Sequence, residues 1–160
     1  MPIVSNSGPI LSFVRANHLD LLQKVVGALI VPEAVYDDLV TSGAGKPGAI
    51  TISKASWITR RSVRDRLFVE QLPSKLHLGE REAIALAREL GAPLLIDERE
   101  ARKEAAQLGL DYFGSLRILK QAKDTGIIFR IRPVLDDLIR AGMYMSKALY
   151  EEFLRQVGEQ

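Results

Sequence analysis

The feature of this chain that most constrains its fold is a set of short apolar runs that end in polar or acidic residues. Residues 3–5 are followed by Asn6, and the apolar run 94–96 is followed by Asp97 and Glu98. Continuous apolar strands are typical of a parallel sheet that is covered on both faces. Open sheets of this kind bind their ligands outside the carboxyl ends of the strands. The sequence therefore predicts polar groups gathered at one edge of a buried sheet.

Strand and helix signals alternate along the whole chain. Strands are predicted at 3–5, 28–31, 94–96, 111–113 and 127–131, with patchy β character over 50–58. Helices are predicted at 7–17, 19–26, 33–40, 64–71, 80–90, 98–108, 115–124, 133–141 and 146–157, and the Gly- and Pro-rich stretch 41–48 is predicted to be a loop. This alternation predicts an α/β fold with a parallel sheet flanked by helices.

The helix over 80–90 has the clearest boundaries. Gly79 precedes it, Gly91 follows it, and the carboxylates of Glu80 and Glu82 favour its positive N-terminal end. On a helical wheel Glu80 lies within the apolar stripe that includes Ile84, whereas Glu82 lies at the edge of that stripe. We therefore expect Glu80 to point inward and Glu82 to be partly exposed.

Composition limits the class of protein. The 160 residues are 47% hydrophobic and 26% charged, which predicts one globular domain over residues 1–160. The chain has no cysteine, which excludes disulfides and thiolate zinc sites. It has neither a charged-then-apolar leader nor an apolar run of spanning length. We expect a soluble, cytoplasmic protein without a membrane partner.

A net charge of +2 is too small to indicate nucleic-acid binding by itself, but basic residues cluster locally. The cluster surrounds Trp57 and consists of Lys54, Arg60, Arg61, Arg64 and Arg66. It can be interpreted as an ordinary solvated face. It can also be a surface that contacts phosphates through Arg60, Arg61 and Arg64, with Trp57 as a stacking aromatic.

Polar residues from five places in the chain are candidates to meet at the carboxyl edge. They are Asn6 with Ser7, Asp38, Glu80 with Glu82, Asp97 with Glu98, and Ser115. Two carboxylates about 4 Å apart repel each other by roughly 4 kcal/mol at an effective dielectric constant of about 20, unless a cation lies between them. Mg²⁺ and Mn²⁺ prefer oxygen ligands and support in-line attack on a phosphodiester. The joint pattern predicts a divalent-metal site.

Each of these residues also has a purely structural interpretation. Glu80 and Glu82 can simply favour a helix N-terminus, and Asp97 can be the N-cap of the helix that starts at Glu98. Asp38 can be a surface residue, and Asn6 and Ser7 can be turn residues, with Ser7 a candidate N-cap. Tyr144 and the neighbouring methionines are expected to pack the C-terminal helices together. Only the joint occurrence of the acidic residues favours a site.

Five stretches of the chain resemble one protein family in their order and spacing. They are residues 3–10, residues 31–38, residues 78–87, residues 94–102 and residues 114–116. With these stretches the chain resembles PIN-domain proteins. More narrowly, it is similar to the stand-alone prokaryotic group of predicted nucleic-acid-binding proteins that is related to VapC-type toxins. The resemblance implies a three-layer α/β/α fold with a core over about 1–130 and a C-terminal helical extension over about 131–160.

The resemblance also implies a metal-dependent ribonuclease site. Its first acid corresponds to Asn6, its second to Asp38, its third to Glu80 or Glu82, and its fourth to Asp97 or Glu98. Ser7 and Ser115 would supply supporting hydrogen bonds. PIN nucleases usually have Asp where this chain has Asn6, and an amide oxygen brings no negative charge to a metal.

Three hypotheses follow. The first is a Mg²⁺- or Mn²⁺-dependent ribonuclease of toxin–antitoxin type, with Asp38, Glu80 and Asp97 as catalytic metal ligands and RNA and an antitoxin protein as partners. Glu82 and Glu98 would extend its acidic pocket, and Asn6 would orient a ligand or water. The second is an RNA-binding module without catalysis, which Asn6 suggests. The third is an interaction protein that uses the fold to form a homodimer or to hold a partner.

Overall fold

Five parallel strands form one central sheet in the computed structural model, which describes residues 2–42, 45 and 47–160. In chain order the strands are β1 (Ile3–Ser5), β2 (Leu29–Pro32), β3 (Ile58–Arg61), β4 (Leu94–Leu95) and β5 (Tyr112–Phe113). The spatial order is β3-β2-β1-β4-β5, and Val4 of β1 lies opposite Ile30 and Leu94. Because every pairing is parallel, all strands end at the same edge of the sheet.

Helices connect the strands and extend the chain beyond β5. They are α1 (Ser7–Arg15), α2 (Leu19–Val26), α3 (Glu33–Tyr36), a π-helical turn (Asp37–Thr41), α4 (Pro47–Ser53), α5 (Arg66–Gln71), α6 (Leu78–Leu90), α7 (Arg99–Gln107), α8 (Ser115–Asp124), α9 (Arg132–Arg140) and α10 (Lys147–Gln156). At least one helix thus connects each strand to the next strand in the chain, as parallel pairing requires.

Alternate residues of the strands contribute to two separate hydrophobic cores. Leu29, Val31 and Leu95 face one core, and Val4 and Leu94 face the other. Helices α5, α6 and α7 cover the second core, while the remaining helices cover the first. The predicted three-layer α/β/α fold with a parallel sheet is therefore confirmed.

Two sequence predictions of β structure are wrong. Residues 50–58 do not form a strand, since α4 runs through Ser53 and β3 begins only at Ile58. Ala49 and Ile52, three residues apart, are 6% and 1% exposed, so they share one buried helical face. Burial has overridden the β preference of the isoleucines and threonines here. The predicted loop 41–48 includes Pro47 of α4, and its residues 43, 44 and 46 lie outside the described part of the chain.

Residues 127–131 form a connection, although a strand was predicted there. The N–H groups of Ile127 and Ile128 donate to the Ala122 carbonyl and close the end of α8. The N–H of Ile131 donates to a carboxylate oxygen of Glu159 at 2.8 Å. These donors are used at helix ends, so they are not available for a β-ladder.

Glu159 joins three helices near the end of the chain. Its carboxylate accepts from the N–H of Ile131 at 2.8 Å, from the N–H of Arg132 at 2.9 Å and from Lys123 Nζ at 2.8 Å. Its side chain is only 4% exposed. Burial acts to raise the pKa of Glu159, but the Lys123 bond and the two backbone bonds outweigh it, so the pKa is lowered.

The C-terminal helices α9 and α10 contribute to the same hydrophobic core as β2. Leu135, Leu138 and Phe153 belong to the cluster that contains Leu29 and Val31. The division of the chain into a core and an extension stays a prediction. Among the described residues, no helix combines the length and the apolar character that crossing a bilayer requires.

Candidate functional site at the carboxyl edge of the sheet

Asn6 lies at the end of the central strand β1 and is 6% exposed. Its N–H donates to the Leu95 carbonyl at 3.0 Å, which continues the pairing with β4. Asn6 is the N-cap of α1, and its side chain makes no capping bond to that helix. The prediction that Ser7 is the N-cap is wrong, because Ser7 is the first residue of α1. The Asn6 amide is therefore available to groups across the sheet edge.

Gly79, in the first turn of α6, marks the point where Asn6 and Asp38 approach each other. A Cβ atom placed on Gly79 would lie 3.0 Å from Asp38 Oδ2, 3.4 Å from Val35 Cγ2 and 3.8 Å from Asn6 Oδ1. Both oxygens thus flank the N-terminal turn of α6. Burial, and then the charge of Asp37, raise the pKa of Asp38; Glu82 raises it further and His77 opposes the shift.

Glu80 is 5% exposed, as the helical wheel predicted. Its Oε1 accepts from the His77 N–H at 2.8 Å, which satisfies one of the free donors at the start of α6. Burial raises the pKa of Glu80 and the His77 N–H opposes this, while the Glu98 carboxyl adds to the increase through its charge and a carboxyl–carboxyl contact. The structure therefore brings Glu80 and Glu98 together as a pair.

Glu82 holds two neighbouring segments against α6. Its Oε1 accepts from the Ala34 N–H at 2.9 Å, and its Oε2 pairs with Arg66 Nη2 at 2.9 Å. The expectation that Glu82 is partly exposed is wrong, since it is 4% exposed. Both Glu82 oxygens are occupied, so this residue ties the start of α3 and the start of α5 to α6.

Asp97 is bound to the start of α8. Its Oδ1 accepts from the Ser115 N–H at 2.7 Å, and its Oδ2 accepts from Ser115 Oγ at 2.5 Å. The prediction that Asp97 is the N-cap of the next helix is wrong. Glu98 is the N-cap of α7, and its Oε2 accepts from the Ala101 N–H at 2.8 Å. Asp97 and Glu98 therefore serve different helix ends, with Glu98 directed towards Glu80.

Gly114 separates Asp97 from Arg102. A Cβ atom at position 114 would lie 2.6 Å from Asp97 Oδ1 and 2.6 Å from Arg102 Nη1. This is closer than side chains approach each other, so a residue with a Cβ would displace one of these groups. Gly114 and Arg102 both lie within stretches that carried the family resemblance, but the sequence pattern gave neither a role.

The predicted basic surface is divided in the structure. Trp57 packs against the first hydrophobic core before β3, while Arg60 and Arg61 end that strand, which separates the indole from the arginines along the strand. Arg60 lies 4.7 Å from the Tyr36 ring centroid and 3.9 Å from Glu33 Oε2.

Arg61 and Arg64 line a separate cavity of about 540 Å³ together with Glu89. They lie at the β3 side of the sheet. The interpretation in which Trp57 stacks a base beside these arginines is therefore not supported.

The donor set at the carboxyl edge has the chemistry of a hard-cation site. Asn6 and Asp38 present oxygens around Gly79, and Glu80 and Glu98 form a carboxyl pair nearby. Oxygen ligands of this type fit Mg²⁺ or Mn²⁺. Within residues 2–42, 45 and 47–160, no three Asp, Glu or His side chains are close enough together to hold a metal ion. The structure brings the acidic residues together in pairs.

Comparisons with known proteins agree with this architecture. The fold is similar to that of a PilT N-terminus domain protein from the hyperthermophilic archaeon Sulfolobus solfataricus P2, with a TM-score of 0.50 and 15% identity over 91% of this chain and 98% of that chain. No curated protein gives a significant sequence match. A family model described as DUF3368: PIN domain matches residues 2–159. Since the match spans nearly the whole sequence and the resemblance of its motifs points the same way, the chain belongs to the PIN-domain family.

Proposed function

We propose that the protein is a Mg²⁺- or Mn²⁺-dependent ribonuclease of the toxin–antitoxin type. PIN domains are generally nuclease-like, and they generally use divalent metal ions. Family membership suggests a nucleic-acid partner, and the narrower choice of RNA comes from the resemblance to toxin-related PIN proteins. An antitoxin protein and a second copy of the chain are the proposed protein partners.

One observation carries the proposal: side-chain oxygens from three separate segments surround the first turn of α6. Asn6 comes from the end of β1, Asp38 from the π-helical turn after α3, and Glu98 from the start of α7, where it contacts Glu80. Gly79 leaves space between Asn6 and Asp38, since a side chain at position 79 would contact the side-chain oxygens of both residues. Glu80 is buried and contacts the carboxyl of Glu98, which is exposed; the charges of two such neighbours repel each other without a cation, so the arrangement favours cation binding.

In this proposal Asp38 and Glu80 would hold the ion, Asp97 and Glu98 would complete the acidic edge, and Asn6 would contribute a neutral oxygen. Glu82 positions α6, because its two oxygens are engaged by Ala34 and Arg66. A bound ion would supply charge neutralisation at the scissile phosphate and a more acidic bound water. The arginines at the end of β3 would contact the RNA backbone on one side of the site.

A cleavage assay with matched Asp→Asn variants tests this function. Purified wild-type protein, Asp38→Asn and Asp124→Asn are incubated with mixed RNAs and manganese, and cleavage is followed by denaturing gel. Asp124 is a suitable control because its side chain is 59% exposed and, within the described ranges, forms an ion pair with Lys120 of its own helix and no other. We expect cleavage by the wild type and by Asp124→Asn, and none by Asp38→Asn. Equal cleavage by all three proteins, or by none, would contradict the enzymatic proposal.

A specific observation favours a second function, an RNA-binding module without turnover. The position of the first family acid is taken by Asn6, which is buried and uncharged. An Asn6→Asp variant separates the two functions. If the wild type retains RNA without cleaving it and Asn6→Asp gains cleavage, the domain is a binding module. If Asn6→Asp leaves an already active enzyme unchanged in rate, this second function is excluded.

A further inference from the structure

A second cavity adjoins the acidic edge on the β5 side of the sheet. Its volume is about 430 Å³, within the usual range for small-molecule sites. Its lining includes Asp97, Ser115, Arg102 and Arg117, and the connection between α9 and α10 contributes Tyr144. The cavity therefore continues directly from the candidate catalytic edge, but most of its lining comes from segments to which the family motifs assign no role.

Two guanidinium groups approach this cavity from opposite faces of the edge strand. Tyr112 and Phe113 are consecutive in β5, so their rings point to opposite faces of the sheet. Arg102 lies over the Tyr112 ring at 5.2 Å, and Arg117 lies over the Phe113 ring at 5.5 Å. Ring contacts of this kind hold the guanidinium groups in place.

Within the described part of the chain, neither of these two arginines forms an ion pair. Arg102 is partly compensated, because its Nη1 donates to the Ile96 carbonyl at 3.5 Å and lies across Gly114 from Asp97 Oδ1. Arg117 has no such neighbour among the described contacts apart from the Phe113 ring. The cavity lining contains one carboxylate, Asp97, whose charged form is stabilised by two bonds from Ser115 at the positive end of α8. Arg102 and Arg117 outnumber this carboxylate, so the lining carries a net positive charge, and guanidinium groups suit a phosphate.

Tyr144 provides an exposed aromatic surface in the lining of the cavity. The sequence predicted that Tyr144 packs the C-terminal helices, but its ring is 90% exposed, while Met143 and Met145 on either side pack against the first core. Phe129 is equally exposed but does not line the cavity. An exposed aromatic ring beside arginines that form no ion pair is an arrangement that binds single-stranded nucleic acids, through base stacking and phosphate contacts.

We infer that this cavity binds one unstacked nucleotide of a single-stranded RNA, with its base against Tyr144 and its phosphate between Arg102 and Arg117. The inference rests on the proposed action of the carboxyl edge on RNA, and it adds a binding site to that function. The strand order places Arg60 and Arg61 at one side of the sheet and this cavity at the other. With about 4.8 Å between neighbouring strands, the two basic groups are about 19 Å apart across the acidic edge. A single strand bound at both would cross the carboxylates.

Matched variants test the inference by binding rather than by cleavage. A labelled single-stranded RNA is titrated in EDTA and followed by fluorescence anisotropy, with the same sequence as a duplex for comparison. Tyr144→Ala is compared with Phe129→Ala, since both rings are 90% exposed. Arg117→Ala is compared with Arg88→Ala, because Arg88 also lies over an aromatic ring, that of Phe68 at 4.0 Å, outside the cavity.

We expect Tyr144→Ala to weaken single-strand binding by between about fivefold and 150-fold, the range for loss of one stacked base. Arg117→Ala should weaken binding and reduce the slope of log affinity against log salt by about 0.7, as expected for one lost phosphate contact. Both controls should bind like the wild type. Adenosine monophosphate should compete for the cavity better than adenosine or inorganic phosphate alone.

Several results would overturn the inference. Equal affinities for all four variants, or tighter binding of the duplex than of the single strand, would exclude a nucleotide cavity. If Tyr144→Ala differs from the wild type in oligomeric state, measured as molecular mass in solution, and its RNA affinity is unchanged, this surface would be assigned to a contact between proteins. Cleavage in manganese is measured separately on the same proteins. RNA binding that depends on Tyr144, without any cleavage, would refute the ribonuclease activity but support the nucleotide cavity. Cleavage together with an unchanged RNA affinity in Tyr144→Ala would support the ribonuclease activity but refute the nucleotide cavity.

Discussion

Replacement of Glu159 by alanine should lower the free energy of unfolding by about 2–4 kcal/mol. The main cost is the Ile131 N–H, which donates to Glu159 at 2.8 Å from a fully buried residue and would lose the acceptor that it has among the described residues. An unsatisfied buried donor costs about 1–3 kcal/mol, and loss of an anion at the start of α9 adds about 0.3–1 kcal/mol. Loss of the ion pair with Lys123 contributes a smaller decrease in stability, because the Lys123 side chain is 28% exposed and water can solvate its charge in the variant.

Urea unfolding followed by the fluorescence of Trp57, the only tryptophan, measures this loss. Glu152→Ala is the matched control, because Glu152 is 49% exposed and its partners in the part of the chain that the structure describes, Arg155 and Gln156, belong to its own helix α10. The control should change stability by no more than about 0.5 kcal/mol. If Glu159→Ala is as stable as this control, the assignment of Glu159 as the residue that joins α8, α9 and α10 is wrong.

The Glu159 contribution should also depend on pH in a defined direction. The pKa of Glu159 is lowered from its ordinary value of 4.5, so its charged form is stabilised in the folded state. This stabilisation is fully present above pH 4.5 and is lost as the pH falls through the folded-state pKa below that value. The stability difference between wild type and Glu159→Gln should therefore be constant near neutral pH and shrink below pH 4.5. A difference that grows on acidification would contradict the argument.

Other residues give predictions for stability and metal binding. Gly114→Ala should destabilise the fold by about 1–3 kcal/mol, because its Cβ would lie 2.6 Å from Asp97 and from Arg102. Gly8→Ala should instead stabilise the fold by about 0.5–1 kcal/mol, because Gly8 is in helix α1 and has open space around it. Urea unfolding distinguishes the two variants. Glu82→Ala should cost about 2–3 kcal/mol, because it leaves the Ala34 N–H without an acceptor and removes the Arg66 pair; a loss under about 0.5 kcal/mol would refute its positional role. Manganese should raise the Tm of the wild type by several degrees and that of Asp38→Asn by less; equal increases would exclude Asp38 as a ligand.

Local signals predicted much of the fold. The boundaries of α8 were predicted correctly, since its start after Gly114 and its apolar periodicity are encoded within a few residues. The orientation of Glu80 followed from helical spacing for the same reason. The strand predicted over 127–131 was wrong because the donors of that segment bond to Ala122 and Glu159, and the second of these contacts crosses 28 residues. A partner that distant leaves no local pattern.

The candidate site was predictable in its residue types and less so in its pairings. The order of the motifs predicted that Asn6, Asp38 and Glu80 lie near one another, and in the structure all three lie at the start of α6. The order of the motifs did not reveal that Glu82 forms an ion pair with Arg66, because Arg66 precedes Glu82 by 16 residues and belongs to another helix. The exposure of Tyr144 was also hidden, since an aromatic residue between two methionines has the composition of a packed core.

The two hydrogen bonds between Asp97 and Ser115 have a consequence for any ligand of this edge. Each Asp97 oxygen already accepts one hydrogen bond, Oδ1 from the Ser115 amide and Oδ2 from the Ser115 hydroxyl. A carboxylate oxygen accepts about two such contacts, so an ion that recruits Asp97 would share it with the start of α8. Ser115→Ala should remove the hydroxyl bond and keep the amide bond, which leaves the carboxylate less firmly oriented. The residue that begins the helix thus sets the direction from which a cation can approach Asp97.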